Sequence, residues 1–413
     1  MTLNELACFS FWFIAALGFY GYLGYPILVS VLSWFIPSDP MLPTQNENRT
    51  DGTNSKGSSN VSILVATYNE EDNITGKLDS LCNQHYHLKN IEILVLNDGS
   101  DDNTANLVTS YIAAQCDQPR SIDAPSIRLL DLPRGGKAAA LNAGADAAQH
   151  DILVFSDADN HWQADTLTQL LAPFSVNQVG AVSGRLTIEG EYQNLGLGDR
   201  LYRNYEAYIR SCETQLGSAV SADGGIFAIR KALFDPVPPD VTDDFFISTG
   251  AVEKGFSLVY QSSALAFDQG VETAGSQYRR RIRVTVRGMR SLWRRRRLLN
   301  PFQYGIYAIC LISHKLIRRF VPFFAMLLLP LNIAIVTSHT MESDFSVFYS
   351  VTLISQIVFY LSAIAGLIDA GKRLPKPFTM AGFLLLSSFA LGMGVFRFLI
   401  GERFTQWSPQ SNR

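Results

Sequence analysis

The 413-residue chain has only five cysteines, Cys8, Cys82, Cys116, Cys212 and Cys310, scattered and without a C-x-x-C pair. That spacing indicates neither a zinc site nor a disulfide framework, so a reducing compartment is the simpler setting. Histidine is equally sparse: His85, His87 and His150 have no partners at metal-ligand spacing, and a lone His161 next to acidic residues reads as a surface side chain. No G-x-x-x-x-G-K-[ST] stretch occurs, which excludes a Walker-type phosphate loop. Charge itself is missing from four stretches, 9–36, 320–338, 345–368 and 378–396, which contain no Asp, Glu, Lys or Arg. Each is near the roughly 20 residues that cross a hydrocarbon core as a helix. The first has no basic leader and no small-residue cleavage site, and it is too long for a secretory signal, so it reads as a retained anchor.

What is present lies between these stretches. Residues 37–60 are rich in Pro, Asn, Ser, Thr and Gly without hydrophobic period, and read as a flexible linker. From Val61 onward, short apolar runs at 61–66, 91–96, 127–130 and 152–155 alternate with amphipathic stretches such as 74–82 and 104–114. This pattern predicts an α/β domain with a largely parallel sheet covered on both faces, in which ligands bind at the carboxyl ends of the strands. The chain thus divides into a transmembrane anchor (1–36), a linker (37–60), a cytosolic α/β domain (61–276), basic interfacial helices (277–318), transmembrane helices (319–400) and a tail (401–413).

Ten arginines fall between Arg279 and Arg297, and Lys372, Arg373 and Lys376 precede the last apolar stretch, whereas 338–344 carries Glu342 and Asp344 and no Lys or Arg. The positive-inside rule then puts the central domain in the cytoplasm of an inner (plasma) membrane protein and both termini outside. The arginine-rich segment, with Tyr278 and Trp293, adjoins membrane spans, so lipid headgroups rather than nucleic acid are its expected partner, above all for Arg294–Arg297.

Polar residues close each expected strand: Thr67-Tyr68-Asn69-Glu70-Glu71, Asn97-Asp98-Gly99-Ser100 and Ser156-Asp157-Ala158-Asp159. An isolated D-x-D is most often a solvated turn. In a parallel sheet, however, Glu70, Asp98, Asp157 and Asp159 converge on one rim, and clustered carboxylates repel unless a cation or hydrogen-bond donors compensate. Such oxygens suit a hard divalent cation shared with a diphosphate. Arg134-Gly135-Gly136-Lys137 opens an alanine-rich helix, where backbone amides and the positive helix end suit phosphate.

These motifs, in order and spacing, resemble the family 2 glycosyltransferases with a GT-A fold, over about residues 61–297. Asp223-Gly224-Gly225-Ile226-Phe227-Ala228-Ile229-Arg230 is similar to that family's acceptor-side glycine segment, and Thr242-Asp243-Asp244 to its T-[ED]-D motif. The resemblance implies a GT-A domain with transmembrane helices at both ends. It implies that Tyr68, Glu70, Asp98 and Lys137 line the donor nucleotide pocket with Asp157, and that Asp157 and Asp159 hold Mg²⁺ or Mn²⁺. It further implies Asp244 as the base that deprotonates the acceptor, Asp243 supporting it, and Gly224 and Gly225 on the acceptor side. Processive synthases of hyaluronan, chitin and cellulose carry Q-x-x-R-W near the membrane. Here Gln277-Tyr278-Arg279-Arg280-Arg281 keeps the glutamine and places Arg281 at the tryptophan position, leaving Gln277, Arg280 and Arg281 as contacts for acceptor or diphosphate. The implied activity is inverting transfer from a UDP-sugar to a growing capsule- or exopolysaccharide-type chain. Two alternatives stay open: transfer of one sugar to a polyprenyl-phosphate or other lipid acceptor, and a catalytically silent nucleotide-sugar-binding regulator.

Overall fold

The computed structural model describes residues 3–36, 59–87, 90–117, 124–188, 194–268, 274–338, 343–369 and 373–405. Most of the expected linker and the end of the tail lie outside the described residues. In chain order, α1 (Leu3–Phe19) and α2 (Tyr25–Phe35) join through a π-helical turn at Tyr20–Gly24. Next come β1 (Val61–Thr67), α3 (Ile74–Cys82), β2 (Ile91–Asp98), α4 (Thr104–Asp117), β3 (Ser126–Leu132), α5 (Lys137–Ala147) and β4 (Ile152–Asp157). The domain continues with β5 (Asn160–Trp162), α6 (Thr166–Leu171), β6 (Val179–Ile188), α7 (Asn194–Gln215), β7 (Ile226–Arg230), α8 (Asp243–Glu253) and β8 (Ser257–Asp268). Five helices follow: α9 (Ala274–Arg294), α10 (Pro301–Leu311), α11 (Arg318–Thr337), α12 (Ser343–Asp369) and α13 (Lys376–Leu399).

The eight described strands form one sheet in the order β3-β2-β1-β4-β7-β6-β8-β5. The first four pair in parallel, with Thr67 opposite Asn97 and Ala66 opposite Asp157, so their carboxyl ends share a rim. Every residue of β1 and β2 is buried, because helices cover both faces. Alternate residues enter different cores: Leu64, Leu94 and Phe155 pack on one side, and Ile63, Ile93 and Val154 on the other. The other half of the sheet is mixed, since β7 runs antiparallel to both β4 and β6 while β6 and β8 are parallel. The alanine-rich α5 lies close on the sheet. A Cβ at Gly144 would come within 2.6 Å of Leu96.

Among the described residues, four helical stretches are long and apolar enough to cross a membrane: Glu5–Phe35, Pro301–Thr337, Ser346–Asp369 and Lys376–Leu399. The α11 and α12 helices run antiparallel, with Asn332 bonded to Thr352 at 3.0 Å and Tyr360 to the Ala325 carbonyl at 3.4 Å. Asp369 therefore lies level with Arg318, which is itself bonded to Glu206 of α7 at 2.7 Å. From there α13 packs along α9, with Gly394 against Thr285, and the chain beyond it gives the Gly401 and Glu402 carbonyls to Arg290 at 2.8 and 2.7 Å. Both ends of α13 thus face the catalytic half, which corrects the expected outward C-terminus. Apolar composition alone does not tell a spanning helix from one laid along α9. The basic segment departs from expectation as well. Arg295 is buried against Asp235, Glu253 and the Phe246 ring, and Arg294 pairs with Asp240 at 2.8 Å, so these two arginines serve internal ion pairs rather than headgroups.

A protease-cleavable tag fused to the C-terminus is expected to be cut only when protease reaches the side of the membrane that holds the α/β domain; cutting from the opposite side alone would contradict this path for α13.

Candidate active site

The parallel rim places the ends of β1, β2 and β4 beside the start of α8. Lys137, the first residue of α5, reaches across the cleft: its Nζ lies 2.7 Å from Asp157 and 2.8 Å from Asp243. One ammonium therefore joins the D-x-D turn to the Thr242-Asp243-Asp244 turn. These carboxylates hold the Lys137 ammonium well above its ordinary range, overcoming the desolvation of its side chain.

The carboxylates differ in their surroundings. Burial acts against ionisation of Asp243, but the charges of Lys137 and Arg287 outweigh it and keep that carboxyl below its usual range. Asp244 is next in sequence and lacks that ion pair. Burial first, then the charge of Asp243, push it up to about 6. Asp159 retains exposed surface, yet the cleft walls desolvate its carboxyl, and with Asp157 and Asp268 they push it up to about 6. Glu70 is pushed up to about 7, mainly by burial and then by the charges of Asp159 and Asp157, against an opposing hydrogen bond from Asn73 at 2.8 Å.

Asp98 behaves otherwise. It is 1% exposed, and its carboxylate accepts the Gly135 amide at 2.7 Å and the Gly136 amide at 2.9 Å while pairing with Arg134. The two amides expected to face a phosphate are therefore engaged by Asp98, a correction to the reading of this turn as a free phosphate cradle. A positive φ of 88° explains the glycine at position 136. Arg134 in turn stacks on Tyr68, 3.3 Å from the ring centroid. Asn69, at φ 55°, ties the loop after β1 to that after β2 through the Ser100 hydroxyl and the Asp101 amide, each at 3.0 Å.

On the other side of the cleft, Gly225 packs so closely that a Cβ would meet Leu186 at 2.8 Å, and a Cβ at Gly224 would lie 3.6 Å from the Asp244 carboxylate. Arg280 and Arg281 project from α9 into a cavity that also reaches Asp244. Arg281 lies over the Phe383 ring at 5.1 Å. Gln277 is on α9, and its side chain is outside the described residues.

Residues 62–236 match the family model described as glycosyl transferase family 2. Over those residues the central domain is similar to that family. Two curated relatives are each called poly-beta-1,6-N-acetyl-D-glucosamine synthase. The chain is 28% identical to the one from Staphylococcus aureus (strain MSSA476) over 272 residues, 63% of each chain. It is 27% identical to the one from Staphylococcus epidermidis over 285 residues, 65% of this chain and 64% of the relative. The chain thus spans less than two thirds of the length of these relatives. Among solved structures, a mannosyltransferase of Pyrobaculum calidifontis, determined with GDP-Man and Mn²⁺, superposes with a TM-score of 0.67 at 20% identity, covering 97% of this chain and all of that one. At that identity the likeness speaks for the fold alone, which is GT-A.

Sequence reasoning missed Lys77. Its side chain is wholly buried behind the D-x-D turn and donates to the Ser156 hydroxyl at 2.6 Å and to the Asn160 side chain at 2.7 Å, 4.8 Å above the Trp162 ring. Burial pulls it down to about 7. The available sign was its place on the apolar stripe of α3, in line with Ile74, Leu78 and Leu81.

Replacing Asp98 leaves two amides and Arg134 without their acceptor. Asp98→Ala is expected to lower stability by on the order of 2 kcal/mol, and Asp98→Asn, which keeps one acceptor oxygen, by less. Thermal unfolding of the purified protein measures both, and an unchanged midpoint for the alanine variant would contradict this role.

Proposed function

We propose that the chain is a membrane-embedded inverting glycosyltransferase that moves a sugar from a UDP-sugar to a growing polysaccharide. The observation that carries this reading is the Lys137 bridge, which brings the D-x-D carboxylates and the Asp243-Asp244 pair to one cleft, 2.7 and 2.8 Å from a single Nζ. The names of the relatives make N-acetylglucosamine the first sugar to test. Residues 61–276 act as the catalytic domain, 277–318 as its basic membrane-facing collar, and the apolar helices 1–36 and 319–400 hold it at the bilayer.

Tyr68, Glu70 and Asp98 organise the nucleoside end, Asp98 by holding the Gly135-Gly136 turn and the Arg134 that stacks on Tyr68. Asp157 and Asp159 offer hard oxygens on alternate residues, which suit Mg²⁺ or Mn²⁺. Among the described residues no group of three His, Cys, Asp or Glu side chains encloses a metal. A shell completed by the donor's phosphates is the usual arrangement for Mg²⁺ with one or two carboxylates. When bound, the cation neutralises charge on the leaving diphosphate. Lys137 holds Asp157 and Asp243 together until the donor enters.

Asp244 takes the proton from the acceptor hydroxyl. Its raised affinity for protons makes it a better base than an exposed carboxylate while leaving it ionised near neutral pH. The hydroxyl oxygen then attacks C1 of the sugar, the bond from C1 to the diphosphate breaks, and one displacement inverts the anomeric centre. Gly224 leaves room beside that carboxylate, and Gln277, Arg280 and Arg281 border the acceptor side.

The decisive assay supplies radiolabelled nucleotide-sugars singly to purified protein with Mg²⁺ or Mn²⁺ and sizes the products. Label from UDP-N-acetylglucosamine is expected to enter a polymer, and no transfer or hydrolysis across a broad panel would overturn the reading. Asp244→Asn is expected to lower transfer by about 10²- to 10⁴-fold. Because it removes a buried charge beside Asp243, it is also expected to raise the thermal midpoint. With Asp244 pushed up to about 6, protonation below that pH removes the base, so kcat/KM should fall about tenfold per pH unit on the acid side. A rate flat from pH 7 to pH 5 would assign the base elsewhere.

A further inference from the structure

Beneath the D-x-D turn lies a buried cation that the proposed displacement does not use. The Lys77 side chain enters from α3 and has no accessible surface. Its ammonium has three protons and meets three acceptors: the Ser156 hydroxyl at 2.6 Å, the Asn160 side-chain oxygen at 2.7 Å and the Asn160 carbonyl at 3.1 Å. All three are neutral oxygens. Burying a charge against neutral partners is costly, and a methionine would fill a similar volume without that cost, so packing alone does not account for a lysine here.

The turn alternates around this ammonium. Ser156, Ala158 and Asn160 are buried, whereas Asp157 is half-buried and Asp159 exposed. Lys77 thus grips the inward residues on either side of the pair, one before Asp157 and one after Asp159. The grip extends across the sheet, because the Asn160 amide donates to the Gly225 carbonyl at 3.0 Å and the Ser156 hydroxyl lies 3.4 Å from the same oxygen. Gly225 follows Gly224, where a Cβ would lie 3.6 Å from the Asp244 carboxylate. One ammonium therefore connects the D-x-D turn to the segment beside Asp244. The seating of α3 serves this contact: a Cβ at Gly76 would lie 3.4 Å from the His161 ring, and the Ser80 hydroxyl accepts the Trp162 amide at 3.3 Å.

Lys137 holds the same turn from the open side of the cleft, through Asp157 and Asp243. One of its two partners is a carboxylate that a donor-bound cation would also claim, so that hold is exchangeable. Lys77 holds oxygens that are neutral and buried, and its hold does not compete with ligation at Asp157 or Asp159.

We propose that Lys77 is the positioning residue of the D-x-D turn, keeping Asp157 and Asp159 presented together, and in fixed relation to Gly224 and Asp244, as a preformed pair for a divalent cation. The inference rests on Asp157 and Asp159 as the metal-binding pair and deepens that reading. Lys77 itself touches neither substrate nor metal. Its hydrogen bonds and its charge act on metal binding with opposite sign, which makes the role testable. As a charge alone, Lys77 repels a cation held by Asp157 and Asp159, so its removal would tighten binding. As a positioning residue, its removal frees the turn and weakens binding, as loss of the outer partners of metal ligands does.

The test titrates Mn²⁺ into full-length purified protein in the presence of UDP, and follows thermal unfolding in chelator as a check on folding. Lys77→Met is expected to weaken Mn²⁺ binding about tenfold, with UDP affinity returning to about the wild-type value once Mn²⁺ is saturating. Ser156→Ala removes one acceptor and leaves the charge in place; it is expected to weaken Mn²⁺ binding about threefold, and it decides the matter if Lys77→Met does not fold. Tighter Mn²⁺ binding in Lys77→Met would make Lys77 a charge only. A lowered unfolding midpoint with unchanged Mn²⁺ affinity would make it a packing residue, and UDP affinity that stays weak at saturating Mn²⁺ would move its effect to the nucleoside end; each overturns the proposal. Unchanged Mn²⁺ affinity in Ser156→Ala overturns it where that variant stands alone. Wild-type protein that binds no UDP with Mn²⁺ would contradict the proposed function itself, whereas wild-type binding matched by both variants contradicts this inference and leaves that function standing.

Discussion

Carboxylates of the same sign, crowded on one rim, are the constraint around which this protein is organised. Glu70, Asp157, Asp159, Asp243 and Asp244 border one cleft, and like charges at such separations do not all stay ionised without compensation. The chain supplies one bridging cation, Lys137, and leaves Asp159, Asp244 and Glu70 with raised proton affinities, at about 6, 6 and 7. An arrangement that keeps unmet negative charge beside an opening is costly as scaffold and useful as a receptor for a cation carrying phosphates. The nearby loops follow from the same constraint. Asp98 is kept out of the cluster by two glycine amides and Arg134, and Asn69 accepts a left-handed backbone to tie adjacent loops.

The second organising feature is the junction with the membrane helices. Glu213 of α7 accepts from Tyr25 and meets His314, each at 2.6 Å, while Glu206 meets His314 and Arg318. A buried polar cluster of this kind contributes little net stability but tolerates few alternative packings, because removing any member strands a charge. It fixes α7 of the catalytic domain against the entry of α11. Asp244 and the first turn of α11 are thus held in one frame, and the cavity between them has a defined shape.

Much of the catalytic half was legible from the chain. The strands with continuous apolar runs, 61–66, 91–96 and 152–155, needed burial on both faces, which made the parallel half foreseeable, and polar residues at their ends marked the rim. The mixed half was not, since β6 interleaves serine, glycine and arginine with its apolar residues and β8 interleaves serine and glutamine, and β7 follows a glycine turn whose reversal depends on tertiary packing. Spacing also said nothing of partners. Gly135 and Gly136 read as a phosphate turn, but whether their amides meet a phosphate or Asp98 depends on a residue 37 positions earlier. Lys77 was hidden in an amphipathic stripe, and Arg295 in a basic run that looks uniform in sequence. For α13 the apolar composition suits a membrane span equally well, and only its contacts with α9 show where it lies.

On the proposed function, the rim is a receptor for a nucleoside diphosphate together with a divalent cation. Calorimetric titration of UDP into the purified protein, with Mg²⁺ or Mn²⁺ and again with a chelator, tests it most directly. Binding is expected with the metal present, with a loss of at least tenfold in affinity when the chelator is added. UDP binding of equal strength in both conditions, or none in either, would contradict it.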